Sequence, residues 1–467
     1  MRIFFVAAEA VPFAKTGGLA DVCGTLPLEL ERLGHEVSII MPGYRCVGNQ
    51  AKPFNDRFKV ATVGKDLKVY FLQHAKFYDR PQIYGDAQGD YPDNLERFAY
   101  LCRETFTLIK DLGKPVDIIH CHDWPTALVP VLLKDQYAKD PFFMKTRTVM
   151  TIHNLAYQGV FPKEDMPKTG VSEDLFNPKA LEFYEKINLL KGGLIFADEI
   201  TTVSPQYAKE IQTKEWGCGL DGVIRENKTR LLGILNGLDY ALWDPENDPL
   251  LAPRYSSKDW LIKRIHKEKI QNIYGLPVFS DIPVFGLVAR LCYQKGLDLL
   301  ESAFQEGLMQ RPIQLVFIGV GEDKYQKLLV KLARKYPQQC GVVIRYDEDL
   351  AHTVYAGSDF FLMPSVYEPC GLTQMISLRY GTIPIVSGVG GLADTVTDFS
   401  SNTKRGNGFV MNSYSVTGML EAVDRACGVF HQPQRLHDLV IHAMDSRWTW
   451  KTSANAYVDC YKGIING

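Results

Sequence analysis

The sequence is short of the features that mark specialised protein classes. Its 467 residues carry 52 basic and 54 acidic side chains, a formal net charge of −2. There is no basic excess to track a nucleic-acid backbone, so no nucleic-acid partner is expected. No apolar run reaches about 18 residues, so no transmembrane helix and no membrane partner are expected. Met1–Val6 meets Glu9 too soon for a secretory leader. Ten cysteines are present but none forms a CxxC pair. Scattered thiols in a chain this long suit a reducing compartment better than a disulfide framework. The GxSxG nucleophile elbow is missing. The first glycine loop matches neither GxGxxG nor the phosphate-binding GxxxxGK[ST].

What remains is ordinary globular composition, 46% hydrophobic and 23% charged. The length suits two or three domains, each large enough for its own core. Short β-branched or apolar runs alternate with helical patterns. Strands are expected at 3–8, 36–41, 69–73, 117–120, 148–153, 199–203 and 231–235. Helices are expected at 21–33, 94–111, 124–134 and 179–195. A turn-rich break follows at Trp243-Asp244-Pro245-Glu246-Asn247-Asp248-Pro249. After a helix at 258–274, a second series offers strands at 283–289, 315–319, 341–345, 359–363 and 383–387. The alternation predicts two doubly wound α/β domains with parallel sheets, residues 1–242 and 243–446, and a last helical stretch, 447–467. Ligands of such sheets bind beyond the carboxyl ends of the strands, so the residues there are the candidates.

Lys15-Thr16-Gly17-Gly18-Leu19-Ala20-Asp21 follows the first strand and opens a helix. Its glycines let an anion approach the backbone, and Lys15 adds a charge. A solvated glycine turn would explain the same letters. His120-Cys121-His122-Asp123-Trp124 ends another strand. An HxH pair with His153 nearby can bind metal, although polar or packing histidines fit better. His153-Asn154 suits hydrogen bonding to hydroxyls, and Trp124 and Tyr157 offer flat faces for a sugar. Arg290 and Lys295 flank a strand-to-helix turn and can clamp a diphosphate. Gly319 and Gly321, and the loop Gly388–Asp394, are further tight turns. The richest segment is Pro364-Ser365-Val366-Tyr367-Glu368-Pro369-Cys370-Gly371-Leu372-Thr373-Gln374, where a carboxylate sits beside a helix N-terminus that can hold a phosphate. Asp347-Glu348-Asp349 looks superficially like an acidic metal site, but acids also suit a helix start.

In order along nearly the whole chain, these segments resemble bacterial glycogen synthases and plant starch synthases. The matching pieces are Lys15–Val22, His122-Asp123-Trp124, His153-Asn154, Ile234–Gly237, Arg290 through Lys295-Gly296, Glu368–Gln374 and Gly390–Val396. The resemblance implies a retaining glucosyltransferase of the GT-B fold, with two Rossmann-like domains facing a cleft and a C-terminal helix crossing back to the first. It implies ADP-glucose as donor, ADP as product, and an α-1,4-glucan acceptor such as glycogen, amylose or maltooligosaccharides. No metal or other cofactor is expected. By the same resemblance, Lys15, Arg290 and Lys295 meet the diphosphate with amides near Gly17, Gly18, Gly371, Leu372 and Thr373. Tyr346 stacks on adenine, His153 holds the transferred glucose and Glu368 lies close to it. Asp21, Asp123, Asn154, Asn236 and Cys370 line the glucose and acceptor site. Related retaining families carry a second glutamate where this chain has Ile376, which weakens a double-carboxylate mechanism. A UDP-glucose-using transferase, a granule-bound starch synthase and a non-catalytic glucan-binding protein are the alternatives. The expected location is a bacterial cytoplasm, or a plastid stroma after removal of a transit peptide.

Overall fold

The structure, a computed structural model, describes residues 1–86, 89–399 and 405–466. The chain divides into two compact units, Met1–Gly237 with Trp450–Gly467, and Leu238–Thr449.

The first unit is built on a nine-stranded sheet. Across it lie Leu231–Gly233, Glu199–Thr202, Arg147–Ile152, Ile118–His122, Arg2–Val6, Glu36–Pro42, Leu67–Leu72, Phe58–Val63 and Lys52–Pro53. All neighbours pair in parallel except the last two, which turn back antiparallel at the edge. Parallel strands are covered on both faces and therefore read as unbroken apolar runs. Ile3-Phe4-Phe5-Val6 is such a run, and every one of these side chains is buried. Helices Gly18–Arg32, Asn94–Asp111, Leu128–Asp135 and Leu189–Phe196 belong to the same unit. The helix Trp450–Asn466 also packs here: Ser453 Oγ donates to Leu235 O at 2.6 Å, and Tyr461 OH meets His120 Nδ1 at 2.8 Å.

The second unit carries a six-stranded parallel sheet, Cys340–Val343, Gln314–Ile318, Val284–Val288, Phe360–Met363, Ile383–Val386 and Phe409–Val410. Counted in chain order, its strands lie 3-2-1-4-5-6. The parallel strands of the first unit lie 7-6-5-4-1-2-3 by the same count. Both orders reverse between strand one and strand four, and such a reversal opens a crevice at the carboxyl ends. In the first unit this point lies after Val6 and His122, in the second after Val288 and Met363. The doubly wound α/β class read from the sequence is the class observed.

One expected helix is corrected. Residues 179–195 are not a single helix. Glu182–Phe183 and Lys186–Asn188 form an antiparallel hairpin, extended by Val160–Pro162, and the helix starts only at Leu189. Tyr184 and Glu185 make the turn with φ of 49° and 62°, a left-handed conformation that side-chain periodicity does not announce. Two other helices start late: 124–134 begins with a 3₁₀ turn, Trp124–Thr126, and 258–274 becomes α-helical only at Lys263.

Candidate active site

In the first unit, the strand Arg2–Val6 runs into a loop pinned by Glu9. This carboxylate is 3% exposed. Thr16 donates to it from its backbone N–H and its hydroxyl, and Tyr84 OH donates at 2.9 Å. Burial pushes the Glu9 carboxyl up, while these donors pull it down. The loop is thereby fixed so that Gly17 caps the helix Gly18–Arg32. Lys15 Nζ and Asp21, in the first turn of that helix, are 2.7 Å apart.

Across the strand-order reversal, Ile118–His122 ends at Asp123, whose φ is 56°. This bent backbone lets Asp123 Oδ1 accept the His153 N–H at 2.7 Å, with the Asn154 N–H at 3.4 Å. Burial pushes the Asp123 carboxyl up to about 7 against those two donors. His153, itself buried, is pushed down to about 3. Its Nε2 lies 2.9 Å from His122 Nδ1. Asn154 Oδ1 accepts the Ala156 N–H. Asn236 is 5% exposed, with Oδ1 buried and unpartnered.

In the second unit, Arg290 follows the strand Val284–Val288 and is exposed. Lys295 ends a 3₁₀ turn before Gly296. A Cβ at Gly296 would stand 1.7 Å from Pro364 O, so only glycine lets the two strand-end loops touch. This contact brings Lys295 Nζ to Glu368 Oε2 at 2.5 Å, and Ser365 Oγ donates to the same oxygen at 3.0 Å. Gly390 and Gly391 press on the Glu368 and Cys370 carbonyls from the other side, and the Gly391 N–H donates to Glu368 O. Cys370 is buried. Gly371 has φ of 68°, and the helix Thr373–Arg379 opens two residues on, with Ile376 buried inside it. Gln374 braces the turn by donating to the Cys370 and Gly371 carbonyls. Tyr346 lies beyond the strand Cys340–Val343, 72% exposed, its hydroxyl donating to Glu348.

Lys15, Gly17, Gly18 and Asp21 thus share one loop, and Asp123, His153 and Asn154 meet through backbone hydrogen bonds. Arg290, Lys295, Glu368, Cys370, Gly371, Leu372 and Thr373 occupy the adjoining strand ends of the second unit. Neither metal reading gains support. Asp347 caps the helix Glu348–Gly357 and pairs with Arg345. His120 is taken by Thr151 and Tyr461. Among the described residues, no three His, Cys, Asp or Glu are grouped to hold an ion, and no helix is long and apolar enough to cross a membrane.

Comparison with known proteins decides the family. Residues 2–226 match the starch synthase catalytic domain model, and residues 268–429 match the glycosyl transferases group 1 model. The glycogen synthase of Syntrophotalea carbinolica is 44% identical, over 100% of this chain and 99% of its own length. That of Geobacillus thermodenitrificans is 41% identical, over 100% and 98%. The chain belongs to the glycogen and starch synthase family. It is a glucosyltransferase of glucan synthesis. Starch synthase IV of Arabidopsis thaliana, solved with ADP and acarbose bound, superposes with a TM-score of 0.90 at 34% identity, over 100% of this chain and 99% of its own. Sucrose-phosphate synthase of Thermosynechococcus elongatus, 17% identical with a TM-score of 0.64, shares the fold.

In this glucan synthase, three residues to which the motifs assign no part in the transfer do structural work. Glu9 ties down the Lys15 loop, Ser365 orients Glu368, and His122 meets His153. Glu9 and Ser365 lie within three residues of a strand end, which was the available signal. His122 meets His153, 31 positions away, because the strands Ile118–His122 and Arg147–Ile152 pair in parallel, and the ring-to-ring hydrogen bond follows from that pairing.

Proposed function

We propose that this glucan synthase transfers glucose from ADP-glucose to the non-reducing 4-hydroxyl of an α-1,4-glucan, with retention at the anomeric carbon. The observation that carries the reading is the Lys295–Glu368 pair at the strand-order reversal of the second unit. A cation beside a carboxylate at such a strand end supports the reading, since splitting a nucleotide sugar separates charge. The bond from the anomeric carbon to the diphosphate oxygen breaks, and its electrons leave with ADP. Lys15, Arg290, Lys295 and the amides near Gly18 and Gly371–Thr373 stabilise that charge. The acceptor 4-oxygen joins the anomeric carbon on the face the phosphate leaves, and its proton passes to the departing phosphate oxygen. Glu368 stabilises the cationic sugar electrostatically, and His153, Asn154, Asp123, Asp21 and Asn236 position glucose and acceptor, with Cys370 packing the turn. Tyr346 stacks on adenine, which its exposure permits. In this reading residues 1–242 serve the acceptor and residues 243–446 the donor, and the C-terminal helix within 447–467 belongs with the first unit from Trp450 onward. The ADP and acarbose on the Arabidopsis relative support this donor and acceptor chemistry.

The test is donor competition with glycogen as acceptor. Label from ADP-glucose should enter glycogen at least about tenfold faster than from UDP-glucose, roughly 1.4 kcal/mol of transition-state preference. Equal or faster use of UDP-glucose overturns the donor assignment.

A further inference from the structure

His120 and His122 alternate along one strand, so both rings fall on the same face of the sheet. Both are fully buried, and His153 is 9% exposed. The His120 ring is fixed at both nitrogens, Nε2 by Thr151 Oγ1 at 2.6 Å and Nδ1 by Tyr461 OH at 2.8 Å. His122 is clamped between two rings, Phe5 stacked at 5.2 Å and His120 at 4.2 Å. It cannot turn away from His153, whose Nε2 stands 2.9 Å from its Nδ1.

Burial holds both imidazoles neutral: His122 is driven well below its ordinary value, by desolvation first and by the neighbouring His120 and His153 next. Two neutral rings at this distance share one hydrogen, so one donates and the other accepts. The remaining nitrogen of His122, Nε2, is buried without a partner. If His153 donated, His122 would carry its proton on that Nε2 as a buried, unpaired N–H, which folded proteins almost never tolerate. If His122 donates, Nε2 is a bare lone pair, a lesser loss. The proton of His153 must then sit on Nδ1. The other groups facing the pair leave this assignment intact. The Asp123 carboxylate is engaged by the backbone N–H groups of His153 and Asn154. Glu9 raises the Asp123 carboxyl electrostatically and is itself engaged by Thr16 and Tyr84.

We propose that His122 is a positioning residue for glucosyl transfer. It donates from Nδ1 to His153 Nε2, locking the His153 ring and holding its proton on Nδ1, where it is offered to a hydroxyl of the transferred glucose. The inference rests on the reading that His153 meets that glucose. It assigns to His122, which that reading leaves idle, the task of setting which atom of His153 meets the sugar and in which protonation state.

Imidazole ¹⁵N shifts of the intact protein, with His153 assigned by its loss in His153→Ala, read the tautomer directly and require no variant of His122. The expected spectrum has a protonated Nδ1 and a bare Nε2 on His153. A proton on Nε2 of His153 overturns the proposal. Kinetics supply a second reading. His122→Asn keeps an N–H donor near the Nδ1 position, whereas His122→Phe keeps only ring bulk. His122→Phe should lower kcat about tenfold or more while the KM for ADP-glucose stays within about twofold, and His122→Asn should recover most of the loss. Full turnover in His122→Phe, or equal damage in both variants, contradicts the positioning role. Full turnover in His153→Ala would instead remove the reading of His153 on which the role rests, whatever tautomer the spectrum shows.

Discussion

Lys295 and Glu368 hold each other at 2.5 Å with side chains only 18% and 7% exposed, so solvent screens the pair little. Removing one partner leaves the other poorly compensated. Lys295→Ala and Glu368→Gln should each lower glucosyl transfer at least about 100-fold, the scale of losing a preorganised electrostatic contact. In urea unfolding, the double variant Lys295→Met/Glu368→Gln should be less destabilised than the sum of the single changes, by about 1–3 kcal/mol. Strict additivity would mean the two are not coupled. Asp123 carries a pH signature. Its native carboxyl sits at about 7, above its ordinary value of 3.8, because burial opposes its charge. The stability it contributes is present below about 4 and lost as pH rises through 7. His153 works in the opposite sense, since its lowered value means stability lost as pH falls from 6.5 toward 3. Asp123→Asn retains an oxygen for the His153 N–H but cannot ionise. Relative to the parent, it should therefore gain on the order of 3 kcal/mol between pH 4.5 and 7.5, and a flat difference would refute the shift. At this scale Asp123 and His153 were legible because each directly follows a strand, and Lys295 and Glu368 because they lie in the strand-to-helix loops after Val288 and Met363. The Glu9–Tyr84 and His122–His153 hydrogen bonds join residues 75 and 31 positions apart, which only folding brings to bonding distance.

Strand-end loops are the elements that assemble these residues, and they depend on glycine where backbones touch. Gly296 has φ of 70° and no room for a Cβ against Pro364 O. Gly296→Ala should cost more than about 2 kcal/mol in denaturant unfolding and lower transfer along with it, because Lys295 is the preceding residue. An alanine variant as stable as the parent would show that the loops can part freely. The C-terminal helix is tied to the first unit by Ser453, by the Ile464 carbonyl and by the buried hydroxyl of Tyr461. Tyr461→Phe leaves His120 Nδ1 unpaired and should cost about 1–3 kcal/mol, measured the same way. Elements with strong periodicity, such as Asn94–Asp111, were legible to the residue. The hairpin at 182–188 was not, because its turn uses left-handed Tyr184 and Glu185 instead of the glycine or asparagine that usually marks such a turn. The antiparallel edge, Lys52–Pro53 and Phe58–Val63, also escaped notice, since short edge strands with mixed exposure lack the apolar run that identified the central ones.

For the molecule as a whole, each unit has its own sheet, and each sheet reverses its strand order at the candidate residues. This much of the architecture was legible because βα alternation implies parallel, doubly wound sheets. The net charge of −2 fits an enzyme whose polymer acceptor is neutral. Hydrogen exchange with and without ADP should slow amides at 290–296 and 364–374, on the strand ends of the second unit, with smaller changes in its outer helices. Protection confined to other segments would move the nucleotide elsewhere. The most direct measurement of the central claim is transfer of radiolabelled glucose from ADP-glucose to glycogen by the parent and by Glu368→Gln. The account predicts sustained incorporation by the parent, with one ADP released per glucose, and at least about 100-fold less by the variant under conditions where both are folded. No incorporation by the parent, or equal incorporation by both, would contradict it.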